Sequence, residues 1–323
     1  MPQAQLTLAS SSVELERLIQ AANRFIHSAK APATVKAYRS DWRDFASWCL
    51  EHRLTPLPAK PETVALYIAD RAATLRSGTI TRRLTSITKA HQAAGFTDSP
   101  ASTRHLVVGE TLKGIRRTLG TAQKGKDPLL TPDIRRIVKA CPNNLLGLRN
   151  RALSLVGFAG GFRRSELVRI QVRELAFGKK GVIIHIPTSK TDQEGAGREV
   201  GIPFGKHRST CPVRALRAWI RESAIKEGAV FRGVDRHGRL SECGLHKDSV
   251  GTLLKRAVAR AGMKTKPIAG HSLRAGCVTQ ATMNGISEFV VMKQTGHKTV
   301  ETLRRYIRLG QIFTQNAASG LGI

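Results

Sequence analysis

Val182-Ile183-Ile184-His185-Ile186 is the one clear β-branched run in a chain whose apolar residues otherwise return every three and four positions. Arg198 to Ile202 runs back from it, and the polar, glycine-bearing stretch 191–197 joins the two as the turn of a hairpin. A single hairpin among helices restricts the fold to a mainly α architecture in which the part holding the hairpin is α+β.

The remaining pattern divides the chain. Residues 1–12 are small and polar and read as a flexible arm. Residues 13–118 read as a helical domain. Thr34 is placed to cap a helix carrying Val35, Tyr38, Trp42, Phe45 and Trp48/Cys49 on one face. Pro61-Glu62 opens a second helix, Thr79 to Ala94 forms a third closed by Gly95, and 103–117 forms a fourth. Lys36, Arg39 and Arg43 on the first, with Arg82, Arg83 and Lys89 on the exposed side of the third, are the candidates for contact with a nucleic-acid groove. Residues 119–130 (LGTAQKGKDPLL) read as a linker, with two glycines, a proline and few apolar anchors. Thr131-Pro132-Asp133 then caps the first helix of a second domain, 131–323.

Charge indicates what such a body meets. Among 323 residues, 53 are Lys or Arg and 23 are Asp or Glu, a formal +30. Residues 1–130 carry 19 basic and 10 acidic side chains, residues 131–323 carry 34 and 13, so the excess belongs to both halves. A folded body this cationic is expected to bind DNA or RNA through counterion release. The five cysteines are scattered, without a Cys-x-x-Cys pair, as in free thiols of a reducing cytoplasm. The N-terminus lacks a secretory pattern, and the longest apolar run, Ala152 to Phe162, is too short to span a bilayer. The expectation is a cytoplasmic, nucleoid-associated protein without a membrane partner.

Four motifs of the second domain carry chemistry together. Gly160-Gly161-Phe162-Arg163-Arg164-Ser165-Glu166 turns into a helix and sets a carboxylate three residues from Arg163, where it can hold the guanidinium. Ser189-Lys190-Thr191 ends the first hairpin strand. In Gly270-His271-Ser272-Leu273-Arg274, His271 and Arg274 are spaced to share a helix face. Gly296-His297 precedes Tyr306 by nine residues. Arg164 adjoins Arg163, and Lys179, Lys180 and Lys206 also flank the hairpin. The Glu166 spacing favours Arg163, and the Ser-Lys-Thr context favours Lys190.

In this order the motifs resemble those of the tyrosine recombinase (phage integrase) family of Cre-like site-specific DNA recombinases. The resemblance covers roughly residues 30–323, with 13–118 similar to the family's core-binding domain. It implies Arg163, Lys190, His271, Arg274, His297 and Tyr306 as catalytic residues, with Glu166 supporting Arg163. Chemistry explains the set. Attack on a phosphodiester builds charge on its non-bridging oxygens, which two fixed guanidiniums stabilise. His271 is suited to take the phenol proton, His297 to donate a hydrogen bond to the phosphate, and Lys190 to protonate the departing 5′ oxygen. Tyr306 would form a 3′-phosphotyrosyl bond that a 5′ hydroxyl reverses, leading through a Holliday junction.

No cofactor is implied. Gly205-Lys206 is followed by His207 and makes no phosphate loop, and His237, Cys243 and His246 lack a fourth zinc ligand at a usual spacing. The partner implied is double-stranded DNA with inverted repeats, held by a homotetramer on two duplexes that is a monomer or dimer when free. The two domains would clamp DNA from two sides. Residues 307–323 form a tail that in the family docks on a neighbouring protomer; packing on its own subunit is the alternative from sequence. The rival functions are a type IB topoisomerase-like relaxing enzyme and a catalytically silent DNA-binding regulator on the same fold.

Overall fold

The computed structural model describes residues 13–97, 105–121, 125–189, 192, 195–263, 267–301 and 303. The chain divides into two compact units at Gly125.

The first unit holds five helices: α1 (Val13–Ser28), α2 (Pro32–Glu51), α3 (Pro61–Ala72), α4 (Ser77–Ala93) and α5 (Leu106–Leu119). Its core is built from Phe45, Trp48 and Cys49 of α2, Val64, Tyr67 and Ile68 of α3, Ile80, Leu84 and Ile87 of α4, and Val108, Leu112 and Ile115 of α5. These positions recur by three and four, so each helix turns one apolar stripe inward. α1 contributes no buried residue. Thr34 does not cap α2: the helix begins at Pro32, whose fixed φ suits a first turn. α4 likewise starts two residues earlier than the sequence suggested, and α5 runs from Leu106 rather than from 103. Gly95 has φ +90, the left-handed conformation expected just after α4.

The second unit surrounds α7 (Leu145–Ala159), which the Asn144 side chain caps by accepting the Gly147 N–H. α7 packs against α9 (Pro212–Ser223), α6 (Thr131–Lys139) and α11 (Ser272–Met283). Asp133, not Thr131, caps α6, accepting the Leu130 N–H at 3.0 Å. Residues 125–130 are anchored where the sequence suggested a free linker. Leu129 is fully buried in the second unit's core, and its N–H donates to Ser272 O.

The hairpin forms as β2 (Gly181–Ile186) and β3 (Arg198–Pro203), antiparallel, with Ile184 opposite Val200 and Ile186 opposite Arg198. It is not the only β structure. A short β1 (Leu175–Phe177) pairs with β2, and β4 (Arg232–Val234) with β5 (Leu240–Gly244) makes a second sheet. Those strands are three and five residues long, too short to show an alternation in the sequence. α8 (Arg164–Arg169), α10 (Ser249–Arg260) and α12 (Glu288–Thr295) complete the unit. No helix among the described residues is long and apolar enough to cross a membrane.

Candidate active site

Where α7 ends, Gly160 and Gly161 turn the chain toward α8. Gly161 has φ +57, and a Cβ there would meet the Thr295 side chain at 2.7 Å, so both conformation and space demand glycine. The turn buries Phe162 and places Arg163 just ahead of α8. Glu166, only 4% exposed, caps this helix through the Arg163 N–H at 3.0 Å, and its other oxygen takes the Arg163 guanidinium at 2.6 Å. One carboxylate thus fixes both ends of the same residue. The second guanidinium nitrogen of Arg163 reaches Gly296 O at 3.4 Å. Arg164 turns elsewhere, pairing with Asp248 at 2.9 Å, so Arg163 is the arginine that joins the cluster.

Arg274 is 1% exposed. Its Nη1 donates to Gly161 O and Thr295 O, both at 2.6 Å, and its Nη2 lies 3.1 Å from His297 Nε2. Because a guanidinium only donates, Nε2 is the acceptor. The His297 proton then sits on Nδ1, 2.6 Å from Thr295 Oγ1, which in turn donates to Val291 O. Burial first, then the charges of Arg274, Arg163, His271 and Arg198, push the His297 pKa down to about 3. His297 is therefore a neutral acceptor that holds Arg274. The sequence suggested a donor to phosphate titrating near neutrality; burial, reinforced by the cations around the ring, instead favours the neutral form.

His271 occupies the position just before α11 and is exposed, whereas Arg274 one turn later is buried. They share one end of the helix but not one environment. The influence of His271 on the His297 ring nonetheless places it beside the cluster. Lys190 and Tyr306 lie outside the described residues. Of the described residues, Ser189 and Asp192 exchange backbone hydrogen bonds, and the Asp192 carboxylate accepts the Ala196 and Gly197 N–H groups. Leu303 is buried against Val278 of α11 and Val291 of α12.

Sequence reasoning missed Arg198. Its Nη2 lies 3.1 Å from Glu166 Oε2 and its Nη1 donates to Gln294 O at 2.9 Å, with its guanidinium carbon 5.9 Å from the Phe162 ring centre. The available signal was period two: Arg198 shares a face with Val200 and Ile202, which point into the core. Gly296, with φ +69, brings the backbone to where a Cβ would be 2.9 Å from Arg198 Nε.

Of the candidate groove contacts, Lys36, Arg39 and Arg43 form an exposed stripe on α2 opposite its core face. Lys89 is exposed and reaches Gln92. Arg82 is pinned to Asp41 by two bonds of 2.8 and 2.9 Å. Arg83 does not belong to the exposed side. Its side chain is 13% exposed and is held by Asp44 and Tyr67, because its position turns toward the α2–α3 seam. No group of three or more His, Cys, Asp or Glu side chains among the described residues is arranged to hold a metal ion.

Two guanidiniums on one buried carboxylate, with Arg274 held by carbonyl oxygens, on a chain of +30, make an arrangement suited to holding a phosphodiester. Comparison with known proteins narrows the reading. Residues 129–311 match the phage integrase family. An integrase/recombinase XerD homologue of Selenomonas ruminantium is 41% identical over 303 residues, covering 94% of this chain and 89% of the relative. The recombinase Cre of Escherichia phage P1 is 24% identical over 297 residues, 85% of this chain and 83% of its own. A lambda integrase dimer bound to a COC′ core site has the same fold, with a TM-score of 0.58 at 14% identity over 94% of this chain and 78% of that one. The chain belongs to the phage integrase family, the tyrosine-type site-specific DNA recombinases. These relatives are recombinases, and the topoisomerase-like and regulator readings find no support among them.

Proposed function

We propose that this recombinase cuts DNA with Tyr306 and stores the bond as a 3′-phosphotyrosyl ester. The phenol oxygen bonds to phosphorus while the bond from phosphorus to the 5′ oxygen breaks. The phenol proton passes to His271, and the departing 5′ oxygen takes a proton from Lys190. Arg163 and Arg274 bind the non-bridging oxygens, Glu166 holds Arg163, and His297 acts through Arg274. A 5′ hydroxyl of another strand reverses the step, so exchange through a Holliday junction needs neither ATP nor a metal.

The observation that carries this reading is the charge of the cluster. Glu166 is shared by Arg163 and Arg198, and Arg274 donates to the carbonyl oxygens of Gly161 and Thr295 beside them. Buried guanidiniums so placed favour an incoming anion. Residues 13–118 serve as the core-binding domain with Lys36, Arg39, Arg43 and Lys89 toward DNA, and Arg82 only where it can leave Asp41. The catalytic domain begins near 125, earlier than 131. The working assembly is a homotetramer on two inverted-repeat sites, acting at the nucleoid in the cytoplasm, with residues 307–323 docked on a neighbouring protomer.

The test uses a nicked suicide duplex carrying a sequence selected from a random DNA pool by the full-length protein. Wild type is expected to form a covalent adduct and Tyr306→Phe none. A wild-type protein without adduct, or an adduct with Tyr306→Phe, removes Tyr306 from the mechanism. Native mass of the protein lacking 307–323 on the same DNA tests the tail, and unchanged assembly would sink the docking.

A further inference from the structure

Away from the arginine cluster, α6, α7, α10 and β4 line a cavity of about 640 Å³, within the size range of small-molecule sites. None of the residues described above as binding phosphate or supporting that task lines it. Ile137, Leu146 and Leu253 give it apolar walls, and Arg149, Arg256 and Arg260 give it charge. Arg149 is the unusual member. It is 2% exposed, and burial pushes its pKa down to about 10. Its Nε and Nη2 both donate to Asn150 Oδ1, at 3.2 and 2.9 Å, and its Nη1 donates to Arg232 O at 3.3 Å. A guanidinium carries five N–H groups, so each terminal nitrogen keeps one beyond these bonds.

No carboxylate among the described residues pairs with Arg149, Arg256 or Arg260. Two carboxylates also line the cavity, and both are committed. Asp248 holds Arg164 at 2.9 Å and lies 3.6 Å from His246, while Asp235 accepts the backbone N–H groups of His237 and Arg239. A buried cation without a counter-ion is costly, and the cost falls when an anion settles beside it.

We infer that this cavity binds a small organic anion, its carboxylate, sulfonate or phosphate group on Arg149 and its apolar or aromatic body against Ile137, Leu146 and Leu253. The planar guanidinium fork suits an oxyanion, and Arg256 and Arg260, both exposed, add attraction at the rim. A duplex phosphate shares the head-group chemistry but brings no apolar body to fill the walls.

The probe is 1-anilinonaphthalene-8-sulfonate, an aromatic body with one anion, and its control is N-phenyl-1-naphthylamine, the same body without the anion. Fluorescence titration of the full-length protein is expected to show a saturable sulfonate site at least about 10-fold tighter than that for the neutral amine. Leu253→Trp, which fills the cavity, should abolish this site, and Arg149→Met should erase the preference for the sulfonate. Should Arg149→Met fail to fold, Arg256→Gln with Arg260→Gln at the exposed rim carries the charge comparison, with an expected loss of about 3–10-fold. Adenosine monophosphate should displace the probe better than a short duplex at equal phosphate concentration. Equal affinity for the two probes in the wild type, or sulfonate binding unchanged by Leu253→Trp, would overturn the inference. Displacement by the duplex but not by the monophosphate would also overturn it, making the cavity a DNA contact instead.

Discussion

Each unit of the molecule gathers arginines around carboxylates, and the two clusters are balanced differently. In the first unit Asp41 and Asp44 together receive Arg71, Arg82 and Arg83, with the Tyr67 hydroxyl donating to Asp44. Burial alone would raise the Asp44 carboxyl, but hydrogen bonds from Tyr67, Arg83 and Arg71 take it below its ordinary value. The Asp41 hydrogen bond raises Arg82, and Arg71 is raised by Asp44 in spite of desolvation. In the second unit the shifts run the other way. Arg198 is lowered by burial in spite of Glu166, and His297 is pushed down to about 3. The first cluster is electrostatically satisfied and holds helices α2, α3 and α4 together. In the second, Arg163 and Arg198 share the single carboxylate of Glu166, and Arg274 donates to backbone carbonyls.

The largest expected break in that comparison is Arg274→Ala. If Arg274 binds the non-bridging oxygens as proposed, its loss should slow covalent adduct formation at saturating DNA by about 100–1000-fold, read in single-turnover cleavage. Arg83→Ala in the other cluster should leave that rate within about threefold and act on stability instead, by about 1–3 kcal/mol for a part-buried pair, read in urea melts. Next comes Glu166→Ala, which strands two guanidiniums. It should destabilise the protein by about 3–5 kcal/mol, well above the effect of Arg83→Ala in the same melts.

Acid gives a smaller, graded test. His297 and His91 both have folded pKa values below the ordinary 6.5, His91 chiefly through burial, with Ala59 N–H donating to its Nε2. The unfolded chain then binds more protons than the folded one. The stability these rings contribute is present above about 6.5 and is lost as pH falls through their folded values. Melts between pH 7.5 and 4 should show a falling midpoint, and His297→Gln and His91→Gln should each flatten the fall. The two rings part company once DNA is bound. A phosphate offsets the cations that depress His297 but leaves His91 unchanged, so DNA should shift only the former, as read by nitrogen chemical shifts of the rings.

The same contrast explains what was legible in the amino-acid sequence. The helices of the first unit, the β2–β3 pairing and the Arg163–Glu166 motif were readable because each is local: a period, a cap or a spacing of three. Arg198 was not, since its partners Glu166 and Gln294 lie 32 and 96 positions away. Arg83 was misread for the reverse reason: helical spacing alone does not reveal the Asp44 carboxylate supplied by another helix 39 positions earlier. The lowered pKa of His297 likewise depends on burial first and then on charged groups brought from α11 and β3 and from the residues ahead of α8 and α11. Leu129 shows the limit at the linker, where a single buried anchor converts an apparently loose stretch into part of the catalytic unit.

The central claim is that the second cluster is a phosphodiester site and the first is scaffolding. It is tested most directly by measuring single-turnover adduct formation on one nicked duplex, at saturating protein, for Arg274→Ala and Arg83→Ala together. The account predicts that Arg274→Ala loses cleavage by about two to three orders of magnitude while still binding the duplex, and that folded Arg83→Ala cleaves at nearly the wild-type rate. Equal rates for the two variants would contradict it.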